Sequence, residues 1–222
     1  MTKLVIAIDG PSGSGKSSVS QAVAQHFNLE YLDTGAMYRA LTWYCLDQST
    51  DLTNPEAIIA AAEKFPLHQG TNPGQESIVV GATNVGEAIR EPRISESVSA
   101  VASVPRVREI LIQMQRDAIA NSANGMVAEG RDITTVVAPD ADARVLLTAS
   151  EEVRLARRGL QLGGTQSSSE LQAQVVQRDA RDSKVNNFTE AAPGVALVDS
   201  SDLDFEQTIA AVVAAVEEQI NS

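Results

Sequence analysis

Cysteine and long apolar runs are scarce in this sequence of 222 residues. Its single cysteine, Cys45, excludes a disulfide framework and a zinc site built from cysteines. The longest uncharged apolar run, Ile209 to Val216, is far too short to span a bilayer. Near the amino end a lone Lys3 precedes apolar residues 4–8, which stop at Asp9, so we expect no signal peptide. These absences predict a protein of the cytoplasm.

Basic residues are also fewer than acidic ones. The sequence has 17 Lys and Arg residues and 29 Asp and Glu residues, which gives a net charge of −12. That excess of acid excludes general attraction to nucleic acid or an anionic membrane, and we expect a monomer. Of the basic residues, 13 are Arg and 4 are Lys. Since guanidinium binds phosphate bidentately, selected arginines in an acidic chain indicate small anions held in a cleft. A GC-rich genome would produce the same bias.

Strand-like apolar runs alternate with segments of helical spacing, which is the pattern of a parallel α/β fold. The continuous apolar run that ends at Asp9 is typical of a parallel strand buried on both faces. Asn54 with Pro55 predicts a capped helix start, and Ser150 predicts another. The predicted strands are 3–9, 30–32, 126–128, 144–148 and 195–198, and the predicted helices are 16–27, 35–46, 95–104, 106–121, 170–184 and 205–220, with further helices starting after 54 and 150.

Two stretches interrupt this alternation. Turn residues at 70–74 and 81–84 indicate a small β-rich insertion at 60–95. A Gly- and Ser-rich tip at 163–169 separates two helices within 154–189. We predict a core domain with these two segments as an insertion and a lid, the core being formed by 1–59, 96–153 and 190–222.

The segment after the first strand carries the clearest motif. Gly10-Pro11-Ser12-Gly13-Ser14-Gly15-Lys16-Ser17 matches the P-loop pattern G-x-x-x-x-G-K-[ST] at every fixed position. Glycines let successive backbone N–H groups turn toward a phosphate, and the following helix points its positive end at the same anion. Lys16 is suited to reach the terminal phosphates, and the Ser17 hydroxyl is suited to bind magnesium. The motif predicts a site for a nucleoside triphosphate.

The motifs of other classes of P-loop protein are absent from this sequence. A GTPase needs D-x-x-G and N-K-x-D, and neither pattern occurs. An ATPase motor has an apolar strand that ends in Asp, whereas the nearest candidate, 126–129, ends in Glu129. What remains is a small kinase with a second anionic substrate. Four arginine-bearing places would suit that substrate, namely 32–39, 105–108, 129–132 and the pair 154–158 with 178–182.

At these places the chain resembles the bacterial cytidylate kinases, a family of nucleoside monophosphate kinases, essentially from end to end. The resemblance implies a P-loop kinase fold with a parallel five-stranded sheet and a monophosphate-binding domain at the β-rich insertion. It also implies transfer of phosphate from ATP, with Mg²⁺, to CMP or dCMP in pyrimidine nucleotide metabolism. The segments that carry it are Asp33-Thr34-Gly35-Ala36-Met37-Tyr38-Arg39 and Gly130-Arg131-Asp132, with Ile8-Asp9-Gly10-Pro11, Thr135-Val136-Val137 and Arg178-Asp179.

The resemblance also implies roles for individual residues. Arg39 and Arg131 resemble clamps on the CMP phosphate, and Arg108 and Asp132, with Thr34 nearby, resemble the residues that bind cytosine. Ser99, Arg178 and Asp182 are similar to ribose contacts. Arg154, Arg157 and Arg158 resemble lid arginines that act on the transferring phosphoryl group together with Lys16 and Arg131. The implied ATP contacts are Gly10, Pro11, Ser12, Gly13, Ser14, Gly15, Lys16, Ser17 and Ser18, with Ser17 as metal ligand.

Several interpretations stay open at this point. Arg154 also suits a surface pair with Glu151, Asp179 suits a partner for Arg181 or a turn cap, and Glu129 is a weaker candidate for holding a metal-bound water. Other acceptors, namely UMP, AMP, shikimate or gluconate, are alternatives to CMP. A regulatory protein that binds ATP without transferring phosphate is a further alternative.

The chain departs from the family pattern shortly after Arg178. Where the family places a further arginine, this sequence has Val185. Lys184 and Arg181 are the two nearby cations that would replace it. Because Arg181 precedes position 185 by one helical turn and shares its face, we expect Arg181 to bind the substrate.

Overall fold

Five strands form the central sheet of the computed structural model, which describes residues 3–75, 77–161, 172, 175–176, 178–183 and 188–221, with the backbone alone at Gln161, Arg178 and Arg181. The strands are β1 (Leu4–Asp9), β2 (Glu30–Asp33), β6 (Gly125–Gly130), β7 (Ala143–Thr148) and β8 (Ala196–Asp199). Their order is β2-β6-β1-β7-β8, with β1 parallel to β6 and β7, and β7 parallel to β8. The predicted parallel α/β sheet is confirmed.

The chain divides into two compact units, one of Met1–Leu32 with Ser122–Ser222 and the other of Asp33–Asn121. In the first unit the sheet packs against α1 (Lys16–His26) and α8 (Phe205–Ile220). β1 is apolar throughout its middle because a central parallel strand is covered on both faces. The same unit contains a π-helical turn (Ile133–Val137), α6 (Glu151–Gln161) and α7 (Arg178–Asp182).

The second unit has a helical core and a small antiparallel sheet. The sheet, with strand order β3-β4-β5, confirms a β-rich segment, although Thr83 and Asn84 form a short strand where the sequence predicted a turn. Asn54 caps α3 through its side chain and Pro55 opens that helix, as predicted. The elements are α2 (Thr34–Asp47), α3 (Pro55–Ala62), β3 (Leu67–Gln69), β4 (Ile78–Val80), β5 (Thr83–Asn84), a 3₁₀ turn (Ala88–Arg90), α4 (Pro92–Ala102) and α5 (Pro105–Asn121).

Helix α4 begins earlier than predicted. The prediction started it at Ser95, whereas the helix starts at Pro92, because the fixed φ of proline suits the first helical position.

The predicted tip at 163–169, Lys184 and Val185 lie outside the described residues. In the part of the chain that the structure describes, no helix is both long and apolar enough to span a membrane.

Candidate active site

The P-loop connects the end of β1 to the first turn of α1. Gly13 and Gly15 adopt left-handed backbone conformations, with φ of 78° and 87°. A Cβ at Gly13 would lie 2.5 Å from the carbonyl oxygen of Arg154, so only glycine fits there. Within the described residues no side chain caps α1. The first N–H groups of this helix are therefore left for an anion, as the motif predicts.

Glu129 reaches the P-loop from the neighbouring strand, because it pairs with Ile8 in the register of β1 and β6. The Ser17 hydroxyl donates to Glu129 Oε1 at 2.5 Å, and the Tyr31 hydroxyl donates to the same oxygen at 3.2 Å. Lys16 Nζ lies 3.6 Å from Glu129 Oε2. A hydroxyl and a carboxylate at the P-loop are the oxygen donors that Mg²⁺ accepts, so the residues present fit this ion.

Asp179 of α7 joins two arginines to the P-loop. Its Oδ1 accepts hydrogen bonds from Arg131 Nη1 at 2.8 Å and from the Ser12 N–H at 3.1 Å. Its Oδ2 accepts from Arg154 Nη1 at 2.5 Å, and the same nitrogen donates to the Ser12 carbonyl at 2.9 Å. Arg154 therefore does not form the predicted alternative pair with Glu151, because the buried carboxylate of Asp179 offers a stronger charged partner.

Arg131 is enclosed by three further groups besides Asp179. Its Nη2 donates to Ser12 Oγ at 2.7 Å, and its Nε lies 3.1 Å from Asp182 Oδ2. The guanidinium carbon stands 4.3 Å from the centre of the Phe188 ring, which is a cation–π contact. This enclosure orients one predicted phosphate clamp beside the P-loop.

The neighbouring cations determine the charge state of Asp179. Burial alone would raise the pKa of this carboxyl group, but the Arg131 guanidinium, the Ser12 N–H and the Arg154 guanidinium outweigh that effect. The pKa of Asp179 is therefore held below its usual value. The four residues Ser12, Arg131, Arg154 and Asp179 form a group that we call the bridge cluster, whose carboxylate is ionised at neutral pH.

Arg157 lies beside the P-loop and binds mainly backbone oxygens. Its Nη1 donates to the Ser14 carbonyl at 3.2 Å and to Ser200 Oγ at 2.9 Å. Its Nη2 donates to the carbonyls of Ser200 and Leu203, at 2.9 and 3.3 Å. Arg157 thereby joins the P-loop to the segment between β8 and α8. The predicted action of Arg157 and Arg158 on the phosphoryl group stays a prediction.

Asp9 connects the end of β1 to the turn that follows β6. Its carboxylate accepts hydrogen bonds from the N–H groups of Ile133 and Thr134, at 2.9 and 2.8 Å, and from the Thr134 hydroxyl at 2.6 Å. Burial raises the pKa of Asp9 to about 6, although these donors lower it in part. Asp132, which is itself buried, immediately precedes this turn. The end of β1 thus determines where the backbone of Asp132 lies.

The second unit contains four of the predicted substrate residues, namely Thr34, Arg39, Ser99 and Arg108. Arg39 of α2 donates to Ser95 Oγ at 2.9 Å and to the Ile89 carbonyl at 3.2 Å. Ser99 lies one turn beyond Ser95 on the same face of α4, and this is the face that Arg39 contacts through Ser95. Asp33 Oδ1 caps α2 at the Ala36 N–H, which places the buried Thr34 in the first turn of the helix. Arg108 is half-buried on α5.

Two carboxylates with structural contacts at the P-loop end of the sheet were missing from the predicted site, namely Asp9 and Asp179. Asp179 was assigned to Arg181 or to a turn cap, and Asp9 received no role. The signal for Asp179 was a carboxylate among the arginines of 178–182, but its partners Arg131, Arg154 and Ser12 lie far away in sequence. The side chains of Arg178 and Arg181 lie outside the described part of the structure. Arg106 is exposed and pairs with Glu109 at 2.9 Å.

A parallel sheet with a P-loop, Lys16 and arginines around it defines a small P-loop kinase. Solved structures share this fold over the whole chain. Shikimate kinase from Bacteroides thetaiotaomicron has a TM-score of 0.50 at 15% identity, covering 100% of both chains. A gluconokinase from Sinorhizobium meliloti has a TM-score of 0.50 at 18% identity, covering 99% of this chain and 94% of the other.

The sequence comparisons identify the family. The cytidylate kinase family profile matches residues 6–218. A cytidylate kinase of Streptomyces avermitilis is 46% identical over 97% of this chain and 94% of that protein. One of Nocardia farcinica is 45% identical over 100% of this chain and 97% of that protein. The chain belongs to the cytidylate kinase family, as its motifs indicated.

Proposed function

We propose that this chain transfers the γ-phosphoryl group of ATP to CMP and dCMP, which yields ADP with CDP or dCDP. The observation that carries the proposal is a complete P-loop, with Lys16 and Ser17 at Glu129 and the bridge cluster beside it, in a chain of the cytidylate kinase family. The proposal places the enzyme in pyrimidine nucleotide metabolism and in the cytoplasm.

The P-loop backbone and Lys16 bind the phosphates of ATP and offset the charge that develops as the phosphoryl group moves. Ser17 and Glu129 would hold Mg²⁺, directly or through water, and the bound ion neutralises phosphate charge. Arg131 and Arg154 supply further positive charge at the same edge of the sheet. The acceptor is already an anion, so no general base is required of the protein.

The substrate roles are assigned residue by residue from the resemblance. Arg39 and Arg131 bind the phosphate of CMP, whereas Arg108 and Asp132, with Thr34, bind cytosine. The chemistry suits that base, since its amino group donates to a carboxylate and its O2 and N3 accept from a guanidinium. Ser99, Arg178 and Asp182 bind the ribose.

A coupled assay of ADP release tests the proposal. The chain is supplied with ATP, Mg²⁺ and, in turn, CMP, dCMP, UMP, AMP, shikimate or gluconate. We expect the highest kcat/KM with CMP or dCMP and little ADP release without an acceptor. A different preferred acceptor would assign the chain another kinase activity. Tight ATP binding with no acceptor-dependent release would contradict catalysis altogether.

A further inference from the structure

The carboxylate of Asp179 is not among the groups assigned to substrate, yet it lies at the centre of the bridge cluster. One oxygen binds Arg131 and the Ser12 N–H, and the other binds Arg154. We propose that Asp179 is a positioning residue for phosphoryl transfer, which holds the Arg154 guanidinium against the P-loop at Ser12. This inference rests on the proposed kinase function and adds a residue to it.

Electrostatics explains why two arginines here need a carboxylate. Their side chains are only 16% and 12% exposed, so water screens the repulsion between the two guanidinium groups poorly. A carboxylate between them offsets that repulsion and fixes both orientations through charge-assisted hydrogen bonds. A long side chain that is already oriented loses less entropy when it meets a phosphoryl group, which favours the transition state.

The two arginines depend on Asp179 to different extents. Without it, Arg131 would keep Ser12 Oγ, the carboxylate of Asp182 and the Phe188 ring. Arg154 would keep the Ser12 carbonyl and, among the described residues, no charged partner. The Nε of Arg154 is also buried without a hydrogen-bond partner in the described part of the chain. The orientation of Arg154 is therefore the property that Asp179 controls.

If this carboxylate instead inhibited nucleotide binding, its removal would have a different effect on the kinetics. An acid at a P-loop N–H would compete with nucleotide phosphate if it occupied the phosphate position itself. Its removal would then tighten nucleotide binding and leave kcat unchanged or raised. A positioning residue instead lowers kcat on removal and leaves nucleotide affinity nearly unchanged. The two roles are separated by measuring both quantities.

The experiment compares Asp179→Asn with the matched control Asp140→Asn, which makes the same substitution at an exposed turn. We expect kcat with ATP and CMP to fall about tenfold or more in Asp179→Asn, because a transition-state contact is misaligned. We expect the Kd of an ATP analogue and the KM for CMP to change by less than about threefold. The control is expected to match the wild type in all three quantities.

A double variant locates the effect at Arg154. If Asp179 acts through that arginine, Asp179→Asn costs less than about threefold in kcat when added to Arg154→Ala. Asp179→Glu keeps the charge while moving it by one methylene, and we expect an intermediate kcat. It also provides the comparison if Asp179→Asn fails to fold, as judged by its melting temperature.

Three results would overturn the inference. They are a wild-type kcat in folded Asp179→Asn and Asp179→Glu, a full loss that persists in the Arg154→Ala background, and tighter nucleotide binding without a loss of kcat. The wild-type assay separates this outcome from failure of the proposed function. An active wild type with an unaffected variant overturns the inference alone, whereas a folded wild type that transfers phosphate to no acceptor overturns both.

Discussion

Lys16 and Ser17 are adjacent in sequence and meet opposite oxygens of one buried carboxylate, Glu129. The pairing gives the Lys16 ammonium a defined position before any phosphate arrives. From the sequence, Glu129 was only a weaker candidate for holding a metal-bound water. In the structure it contacts both P-loop residues directly. The roles of all three residues in binding phosphate and magnesium are proposals that kinetics can test.

Replacing Lys16 by alanine removes charge compensation at the transferring phosphoryl group. We expect Lys16→Ala to lower kcat by about two orders of magnitude or more while the chain stays folded. The measurement is ADP release with ATP and CMP, and the control is Lys64→Ala, which removes an exposed lysine. Near-normal turnover in folded Lys16→Ala would contradict phosphoryl transfer at this P-loop.

The departure from the family pattern at Val185 makes a second prediction at the scale of single residues. Arg181→Ala is expected to raise the KM for CMP by about tenfold, which corresponds to one lost charged hydrogen bond. Lys184→Ala is expected to do little, because on the helix that the sequence predicts position 184 would point about 100° away from position 185. Steady-state kinetics of both variants decides between them. The reverse ranking would assign the contact to Lys184, and no effect from either would mean that the enzyme lacks it.

At the scale of elements, the carboxyl end of β1 and the π-helical turn after β6 are joined by Asp9. No local pattern predicted the π-helical turn, because three of its hydrogen bonds are donated to a carboxylate more than 120 positions away in sequence. The P-loop starts immediately after Asp9, and Asp132 immediately precedes the turn. One carboxylate therefore links the backbones that carry both of these proposed binding positions.

This link has a pH dependence that can be measured. Burial raises the pKa of Asp9 from 3.8 to about 6, so the folded chain holds the proton more tightly than the unfolded chain. The stability from this group is complete below about pH 4 and is lost as the pH rises through 6. Relative to Asp9→Asn, which does not titrate, the free energy of unfolding of the wild type should fall by up to about 3 kcal/mol between pH 4 and pH 7.

Urea denaturation of both proteins at pH 4, 5, 6 and 7 measures this difference. Comparing the wild type with the variant cancels the contributions of acids that do not interact with Asp9, since these are common to both. A difference that stays constant across the range would show that Asp9 does not change its protonation on folding.

At the scale of the whole molecule, the net charge of −12 predicts a monomer, because copies of an acidic chain repel one another. Light scattering coupled to size exclusion should give a mass near the chain mass of 23.5 kDa. The measurement is made at low salt, where the repulsion between copies is screened least. A stable mass of twice that value would contradict the expectation.

Features that depend on neighbouring residues could be predicted from the amino-acid sequence. The P-loop was predictable because its glycines, Lys16 and Ser17 lie within eight consecutive positions. The apolar run of β1 and the capped start of α3 were predictable for the same reason. The parallel sheet followed from the alternation of strands and helices, and the family from motifs that are themselves short.

Contacts between residues that are distant in sequence depend on the tertiary fold. The order β2-β6-β1-β7-β8 places β6 beside β1, and this brings Glu129 to the P-loop from 112 positions away. The Asp179 carboxylate and the Ser12 N–H are separated by 167 positions in the chain and by 3.1 Å in space. Contacts of this kind depend on strand order and on how helices pack over the sheet, neither of which is encoded in the spacing of adjacent residues.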